Sequence, residues 1–328
     1  METDPNIDPP DKSHSEPAWF AVDWGTSNLR AWPIAKDGTP MQRLDSPKGM
    51  SSLQTDDYEQ VLVDLLGDHL LDNSGGETAV LICGMAGSRS GWQDAGYMET
   101  PINAGALSGS AVSVETQDSR LNVRIMSGLK QLEPADVMRG EETQLAGFAA
   151  SHPGFAGDIC LPGTHSKWVS MQSGRIYNCR TAMTGELFDL LRNSSILRLS
   201  LTSEEEGLFP ISDFLEGVEQ GADDPNALTR CLFPIRAGDL LGDGRTAEGR
   251  LARLSGLLIG AEFSAMAPSS DSELAFVGSS RLATLYMRAA RHLGFNAQAH
   301  DGETLVLAGL SRTYHTLFES TDHDEDLA

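Results

Sequence analysis

The sequence has few of the residues that mark several common protein classes. It contains four cysteines among 328 residues, and no two of them form a CxxC pair. Such spacing excludes the usual zinc sites and disulfide frameworks, and is typical of reduced thiols in a cytoplasm. No apolar run reaches the roughly 18 residues of a membrane-spanning helix. We therefore expect a cytoplasmic globular protein whose isolated cysteines pack in its core.

Positive charge is also scarce. The chain has 24 lysines and arginines against 47 acidic residues, so its net charge is −23. This field repels nucleic acids and anionic membrane surfaces, and we expect neither as a partner. An anionic small-molecule substrate would need a local group of basic side chains. The sequence leaves open whether the chain forms a homo-oligomer.

The common nucleotide-binding motifs are missing or misplaced. No Gly-Lys pair occurs, which excludes a Walker-type loop. The segment GDGRTA at 242–247 matches GxGxxA, and Glu262 lies at the spacing of the acidic residue in a dinucleotide-binding fold. However, Glu262 falls inside a predicted helix and not at the end of a second strand. We interpret the segment as a turn before a helix.

The length and the 40% hydrophobic content suffice for two domains. Residues 1–17 are acidic and proline-rich, and we expect a disordered lead-in that is neither a signal peptide nor an anchor. Alternating strand and helix patterns predict α/β domains at 18–135 and 136–328, each with a mixed five-stranded sheet. The predicted helices lie at 57–71, from after DVMRGEE (136–142) to about 150, and at 184–193, 211–220, 246–266, 279–293 and 303–318.

Each predicted domain opens on the same pattern of strand, Gly-Thr turn, strand, turn and strand. Setting Gly163-Thr164 over Gly25-Thr26 brings the two meanders into register. Similar meanders half a chain apart indicate an internal duplication. The alternative is two unrelated hairpins that share a dipeptide.

Both turns carry groups suited to binding a phosphate. Glycine lets backbone N–H groups approach closely, and successive N–H and hydroxyl donors form an anion-binding concavity. Asp23 ends the strand before the first turn, where a carboxylate is suited to hold Mg²⁺ through water. The candidate phosphate ligands are Gly25, Thr26, Ser27, Asn28, Gly163, Thr164, His165 and Ser166, with Lys167 as a further candidate. For a single turn, an ordinary hairpin is the alternative.

A third candidate segment, FVGSSRLATLY at 276–286, is a buried strand, a glycine, two serines and a helix. The small residues Gly278 and Ser279 offer a flat surface for a nucleotide base. The alternative is a commonplace strand-to-helix turn.

Taken in order, these segments resemble the sugar-kinase, hexokinase and actin superfamily, and within it the 2-dehydro-3-deoxygalactonokinase family. The resemblance spans residues 19 to about 310 and rests on VDWGTSNLRAW, GMAGSRSGW, DVMRGEETQLAG, LPGTHSKWV, RTAMTGELFDLLRNSSIL, RLSGLLIGAEF and VGSSRLATLY. It implies two actin-like or ribonuclease H-like domains with mixed sheets that flank a deep nucleotide cleft. One departure is Leu161-Pro162, where many superfamily members place an acid, so metal binding rests more heavily on Asp23.

The resemblance also implies an activity. The family transfers a phosphoryl group from ATP, with Mg²⁺, to the terminal (6-) hydroxyl of 2-dehydro-3-deoxy-D-galactonate, in galactonate catabolism. In related kinases the base is a carboxylate just before, or at the start of, a helix. The segment PADVMRGEETQ offers Asp136, then Glu141, with Glu142 as a third candidate. The alternative is that these are ordinary acids of a first helical turn.

The carboxylate of such a substrate makes an arginine fork the expected recognition device. Arg89 is the first candidate because GMAGSRSGW follows a strand, and Arg30, Arg139 and Arg180 are expected to assist. Trp92 is expected to wall the sugar pocket. Two other functions stay open: a kinase of the same fold for another sugar, such as a neutral hexose, and a non-catalytic nucleotide-binding regulator.

Overall fold

The protein's computed structural model describes residues 16–70, 76–201, 209–268, 272–278 and 280–319. The strands in these ranges are β1 (Trp19–Trp24), β2 (Leu29–Ile34), β3 (Leu44–Ser46), β4 (Thr78–Gly84), β5 (Tyr97–Glu99), β6 (Ile102–Asn103), β7 (Val112–Val114), β8 (Leu121–Ile125), β9 (Gly128–Gln131), β10 (Asp136–Met138), β11 (Ala156–Leu161), β12 (Ser166–Gln172), β13 (Arg175–Ala182), β14 (Glu273–Gly278) and β15 (Ala297–Asp301). The α-helices are α1 (Tyr58–Leu66), α2 (Glu141–Ser151), α3 (Thr184–Ser194), α4 (Arg198–Leu201), α5 (Ile211–Asp223), α6 (Leu228–Leu241), α7 (Ala247–Met266), α8 (Ser280–His292) and α9 (Gly302–Tyr314).

The described residues divide into two compact units. The first comprises those up to Asp94 together with Val112–Ile125, and the second comprises Ala95–Ala111 and those from Met126 onward. The boundary predicted between residues 135 and 136 stays a prediction, as does the deep nucleotide cleft. Of the predicted lead-in, residues 1–15 lie outside the described residues.

The main sheets of the two units share the order of five of their strands. In the first unit the order is β3-β2-β1-β4-β8-β7, and in the second it is β15-β14-β11-β12-β13-β6. Each contains an antiparallel meander, β1–β3 or β11–β13, whose first strand pairs in parallel with β4 or β14. When the edge strands β7 and β6 are left out and the other five strands of each sheet are numbered in chain order, both sheets read third-second-first-fourth-fifth, as the duplication predicts. The predicted α/β fold with two mixed sheets is confirmed, with a sixth strand added at one edge of each.

Burial follows from these pairings. The first strand of the chain, WFAVDW, has β2 on one side and β4 on the other, and only Asp23 in it is partly exposed. Every residue of β4, TAVLICG, is buried. A parallel strand covered on both faces needs such a continuous apolar run. A polar residue in this environment therefore stands out, and Asp23 is at the strand's carboxyl end.

Helix α7 packs unusually close to α5. A Cβ atom on Gly256 would lie 2.0 Å from the carbonyl oxygen of Phe214, and one on Gly260 would lie 2.1 Å from that of Val218. Because no side chain fits between the two backbones, glycine lets the helices touch. Helix α7 is thereby fixed along the middle of its length.

The helices predicted from periodicity are confirmed, with shifted ends, as α1, α2, α3, α5, α7, α8 and α9. The prediction missed α6, which contains Pro234 inside the helix, a residue that sequence rules treat as a break. The interpretation of GDGRTA is also confirmed. Gly242 ends α6 in a left-handed conformation, Thr246 caps α7, and Glu262 lies within α7.

All four cysteines are free and buried, as predicted. Within the described part of the chain, no helix has the length and apolar character that crossing a membrane would require.

Candidate active site

Backbone hydrogen bonds hold the first Gly-Thr turn, and its polar side chains are exposed to solvent. The N–H of Gly25 donates to the carbonyl of Asn28 over 2.8 Å and closes the hairpin. Thr26, Ser27 and Asn28 are exposed. Behind them, the Ser51 N–H donates to the carbonyl of Thr26 over 2.9 Å. The backbone of this turn is therefore held while its polar side chains face solvent.

A glycine allows this close backing. A Cβ atom on Gly49 would lie 2.3 Å from the carbonyl carbon of Ser27 and 2.4 Å from the carbonyl oxygen of Thr26. These distances are far below van der Waals contact, so any side chain at position 49 would displace the turn.

The carboxylate of Asp23 lies at the carboxyl end of β1 and accepts a hydrogen bond from Arg30 Nη2 over 2.7 Å. In the parallel register, Trp24 faces Gly84, which has φ +91°. A Cβ atom on Gly84 would lie 3.4 Å from Asp23 Oδ1 and 2.6 Å from the carbonyl oxygen of Trp24. Glycine therefore keeps the space beside this carboxylate open.

These residues fit a magnesium ion that takes most of its ligands from phosphate and water, since Mg²⁺ needs only one or two carboxylates. Among the residues that the structure describes, no three histidine, cysteine or acidic side chains form a metal cluster. Asp23 is thus the carboxylate candidate, with one oxygen held by Arg30.

The second turn repeats the construction of the first. Thr164 and His165 are exposed, and the N–H of Glu186 donates to the carbonyl of Thr164 over 2.9 Å. A Cβ atom on Gly185 would lie 2.3 Å from the carbonyl oxygen of Gly163. In both turns, therefore, the threonine carbonyl accepts from a backing segment that contains a glycine. The open face of the second turn also carries a pair formed by His165 Nε2 and Glu186 Oε2, 2.5 Å apart.

The residue after this turn points into the protein. Ser166 is fully buried, and its hydroxyl lies 2.9 Å from that of Tyr286. Tyr286 in turn donates to Glu262 Oε2 over 2.7 Å, and Trp168 Nε1 donates to Glu262 Oε1 over 2.7 Å. Burial raises the pKa of Glu262, and hydrogen bonding from Thr184, Trp168, Tyr286 and Ser166 opposes that rise.

Gly278 lies at the carboxyl end of β14, beside the second turn. The position of a Cβ atom on it would be 3.7 Å from the carbonyl oxygen of Pro162. Gly278 also contributes to a pocket of about 480 Å³, which is lined in addition by Ala283, Thr284, Met287, Arg288, Arg291, Ala299, His300 and Asp301. The other predicted residue of this segment, Ser279, lies outside the described residues.

Of the three candidate bases, Asp136 is oriented through one oxygen. Its Oδ1 accepts from Thr181 Oγ1 over 2.6 Å and from the Val137 N–H over 2.8 Å. Lys167 Nζ lies 4.0 Å from the same oxygen and donates to Thr181 Oγ1 and to the carbonyl of Val137. The Lys167 ammonium group therefore already has hydrogen-bond partners within the protein. Asp136 is the first residue of strand β10 and does not begin a helix.

The other two acids begin α2. Glu141 is partly exposed and accepts from the N–H of Arg139 over 3.1 Å. Glu142 is fully buried and accepts from the N–H of Gly140 over 2.6 Å. Burial, together with repulsion from Glu141, raises the pKa of Glu142 to about 8. A carboxyl that keeps its proton at neutral pH is poorly suited to accept one from a substrate.

Three of the four candidate arginines have partners within the protein. Arg30 is bound to Asp23, as described above. Arg139 Nη2 donates to the carbonyl of Gly96 over 2.8 Å, and its guanidinium lies 4.4 Å from the ring centre of Tyr97. Its Nε and Nη1 atoms are enclosed without a hydrogen-bond partner among the described residues. Arg180 Nη2 donates to the carbonyl of Met266, the last residue of α7, over 2.6 Å.

Arg89 differs from these three. It is exposed and forms no ion pair with any residue in the described ranges. The loop that carries it is anchored by Trp92, whose N–H donates to the carbonyl of Ala86 over 2.8 Å. The Trp92 ring is partly buried against Tyr58 and Trp24, with ring centres 6.1 and 6.2 Å away. Trp92 therefore holds the base of the Arg89 loop.

Within the second unit, the candidate residues gather at one end of the main sheet. Strands β11 and β14 run parallel, so the second turn and Gly278 follow their carboxyl ends. Because β12 and β13 alternate in direction, Lys167 pairs with Thr181 at this same end. Gln144 of α2 reaches it as well, donating to the carbonyl of Gly302 over 3.3 Å. Carboxyl ends of parallel strands are where open α/β sheets bind ligands.

Sequence reasoning missed the residues that support the second turn, above all Glu262, Tyr286 and Thr184. For Glu262 a signal existed: it is an acid within the apolar run LLIGAEF, which a buried helix accepts only if the carboxylate is paired. Its partners come from α3, α8 and β12, and no pattern in the sequence joins those segments.

Comparison with known proteins identifies one family. The family described as 2-keto-3-deoxy-galactonokinase matches residues 23–313. A protein of Rhizobium meliloti (strain 1021), named as a probable 2-dehydro-3-deoxygalactonokinase, is 39% identical over 89% of this chain and 95% of its own length. The Escherichia coli (strain K12) 2-dehydro-3-deoxygalactonokinase is 33% identical over 91% of this chain and 98% of its own. A Sinorhizobium meliloti crystal structure described with the same activity superposes with a TM-score of 0.84 at 37% identity, and covers 92% of this chain and 99% of its own.

Proposed function

The chain belongs to the 2-keto-3-deoxy-galactonokinase family, and we propose that it phosphorylates the terminal (6-) hydroxyl of 2-dehydro-3-deoxy-D-galactonate, with ATP as the donor. The observation that carries the proposal is the pair of equivalent Gly-Thr turns. Each is backed through its threonine carbonyl and leaves polar groups exposed. A turn fixed in this way presents its donors to a phosphate without having to reorganise, which is the main contribution a protein makes to phosphoryl transfer.

Each turn has a role in holding the donor. Thr26, Ser27 and Asn28 would donate from the first turn, and Thr164 and His165 from the second. Asp23 would hold the Mg²⁺ of the nucleotide, and Arg30 orients that carboxylate by occupying one oxygen. When bound, Mg²⁺ neutralises charge on the phosphoryl group that is transferred.

Asp136 is the carboxylate we assign as the base. Thr181 and the Val137 N–H hold Oδ1, while Oδ2 accepts no hydrogen bond from a described residue. A carboxylate oriented through one oxygen can receive the proton of the 6-hydroxyl on the other. Glu141 is the second choice, and the raised pKa of Glu142 argues against it.

Arg89 is the residue we assign to the substrate carboxylate. A chain at net charge −23 needs a local cation to hold a sugar acid. Arg89 is exposed, and the loop that carries it is stabilised by the contacts of the Trp92 ring with Trp24 and Tyr58. The other three candidate arginines already have partners.

The test is ADP release measured over a panel of 2-keto-3-deoxy acids, aldonates and neutral sugars. We expect 2-dehydro-3-deoxy-D-galactonate to be the preferred acceptor. Arg89→Ala should lower kcat/KM for this acid by roughly 10- to 100-fold, the effect of losing a charged hydrogen bond, and leave any activity on neutral sugars unchanged. Arg43→Ala, which removes an exposed arginine paired with Asp45 in the same unit, serves as the control. A preference for a neutral hexose would overturn the proposal.

A further inference from the structure

Glu262 is a buried carboxylate that the reaction described above does not use. It lies near the end of α7 with 4% of its surface exposed. Trp168 Nε1 donates to one of its oxygens and Tyr286 OH to the other, each over 2.7 Å. The Ser166 hydroxyl lies 2.9 Å from that of Tyr286 and is linked to the carboxylate through it, and a side-chain hydrogen bond from Thr184 lowers the pKa of Glu262. A charge taken out of water is tolerated only with such a set of donors.

Two of these partners border the second Gly-Thr turn on either side. Ser166 is the first residue of β12, directly after His165 of the turn. Thr184 is the first residue of α3, directly before Gly185, whose backbone touches Gly163. The segments that enclose the turn are thus tied to one carboxylate.

The helix that carries Glu262 is itself fixed. Gly256 and Gly260 bring α7 into backbone contact with α5, six and two residues before Glu262. The position of the carboxylate is therefore fixed by α7, and hydroxyl groups link the carboxylate to the turn. A buried residue that served only to fill space would be apolar, because replacing a buried ion network with well-packed apolar groups is often neutral or stabilising.

We propose that Glu262 is a positioning residue for the donor phosphates: it fixes the second Gly-Thr turn through Ser166 and Thr184. This inference rests on the proposed function, because it takes that turn as a phosphate-binding turn. Glu262 does not touch the nucleotide, and it acts by holding the turn in the shape that receives it. Its loss should weaken nucleotide binding more than acceptor binding.

The first experiment compares the wild-type chain with Glu262→Gln. Glutamine has nearly the same shape as glutamate, but only one of the two terminal atoms of its amide can accept a hydrogen bond. The hydrogen-bond link to the Tyr286 and Ser166 hydroxyls is therefore altered. We expect the KM for ATP and the calorimetric Kd of ADP to rise by about threefold to tenfold, the effect of one or two hydrogen bonds. The KM for the sugar acid should stay within about twofold.

Thr313→Val is the matched control. Thr313 is buried in the same unit and donates to the carbonyl of Gly309 over 3.1 Å on α9. Its replacement also removes a buried hydrogen bond, and should lower Tm without changing either KM. If Glu262→Gln does not fold, Tyr286→Phe takes its place, since it removes only the hydroxyl between Ser166 and Glu262.

The double variant Glu262→Gln/Ser166→Ala tests the route. Residues that act through one link give a combined rise in ADP Kd smaller than the product of the two single effects. Multiplicative effects, an equal rise in both KM values, or a change in Tm alone would overturn the inference. A wild-type chain that phosphorylates the acid beside a Glu262→Gln variant with unchanged ADP affinity would sink this inference and leave the proposed function standing. A wild-type chain that binds no ADP would overturn both.

Discussion

Asp23 is the one polar residue of a strand that is otherwise buried, and its partner Arg30 lies directly opposite in the hairpin. We predict that Asp23→Asn lowers turnover by at least about 100-fold, because the charge of the proposed metal ligand is lost. Tm should change by only a few degrees, roughly the effect of losing an ion pair whose arginine is 43% exposed. Steady-state kinetics and thermal unfolding measure the two effects.

The control for Asp23 is Asp45→Asn, which breaks the exposed pair with Arg43 in the same sheet. It should change neither turnover nor Tm appreciably. If Asp23→Asn loses stability and turnover to the same extent, the role of Asp23 is to stabilise the hairpin and not to bind a metal.

Asp136→Asn tests the assigned base. An amide cannot take the proton of the hydroxyl, so the single-turnover rate should fall by about 10²- to 10⁴-fold. The matched control is Asp158→Asn in β11, since Asp158 is also partly buried and accepts from a hydroxyl, that of Ser170, over 2.7 Å. If Asp136→Asn keeps the full single-turnover rate and Glu141→Gln loses it, the base is Glu141.

Glu142 gives stability a specific pH dependence. Its pKa is about 8 in the folded protein against an ordinary value of 4.5. Between these values the folded chain keeps a proton that the unfolded chain has lost, so stability falls as pH rises through this window. In Glu142→Gln this contribution is absent, and relative to wild type the variant should gain on the order of a few kcal/mol between pH 5 and pH 9.

Urea unfolding at intervals of pH measures this difference. Glu77→Gln, at an exposed position, should follow the wild-type curve. Parallel curves for wild type and Glu142→Gln would show that the buried carboxyl does not titrate in this window.

At the scale of elements, the start of α3 decides the shape of the second turn. Gly185→Ala places a Cβ atom where the carbonyl oxygen of Gly163 lies 2.3 Å away, so the helix or the turn must move. We predict a rise of about tenfold or more in the KM for ATP, because the proposed phosphate-binding donors of the turn would be displaced. Gly154→Ala is the control, since a Cβ atom there meets nothing within 4 Å. An unchanged KM for ATP would show that the turn tolerates this displacement.

Which elements can be recognised from sequence depends on how local their cause is. Helices α5 and α7 have apolar residues at helical spacing and were predicted. Helix α6 was missed because Pro234 lies inside it, and its place is secured by packing against α4 and α7. Strand β5 was missed because it is three residues long and its pairing partner β9 lies far along the chain, whereas β10 pairs with the neighbouring β9 and is too short to show an alternating pattern.

At the scale of the whole molecule, the net charge of −23 has a consequence of its own. Arginines of the α6–α7 region are already paired with acids, as in Arg250 with Asp239 and Asp243, so the acidic surplus remains uncompensated. Like charges on one surface repel, and salt screens them. We predict that raising NaCl from 0.02 to 0.5 M (about 20 to 3–5 Å in Debye length) raises Tm by a few degrees at pH 7.5. A fall in Tm would mean that attractive ion pairs dominate.

The sequence by itself determined the fold class, the duplicated meanders, the two Gly-Thr turns and the family, because each depends on residues close together in the chain or on their order. It also singled out Asp23, whose position at a strand end is local. Only the tertiary structure decided which side chains already have hydrogen-bond or ion-pair partners within the protein. It paired Arg180 with the end of α7, turned Ser166 toward Tyr286, buried Glu142 and joined Glu262 to the second turn. Such contacts link segments up to 120 residues apart, as between Ser166 and Tyr286, and their energy depends on burial, which no local pattern specifies.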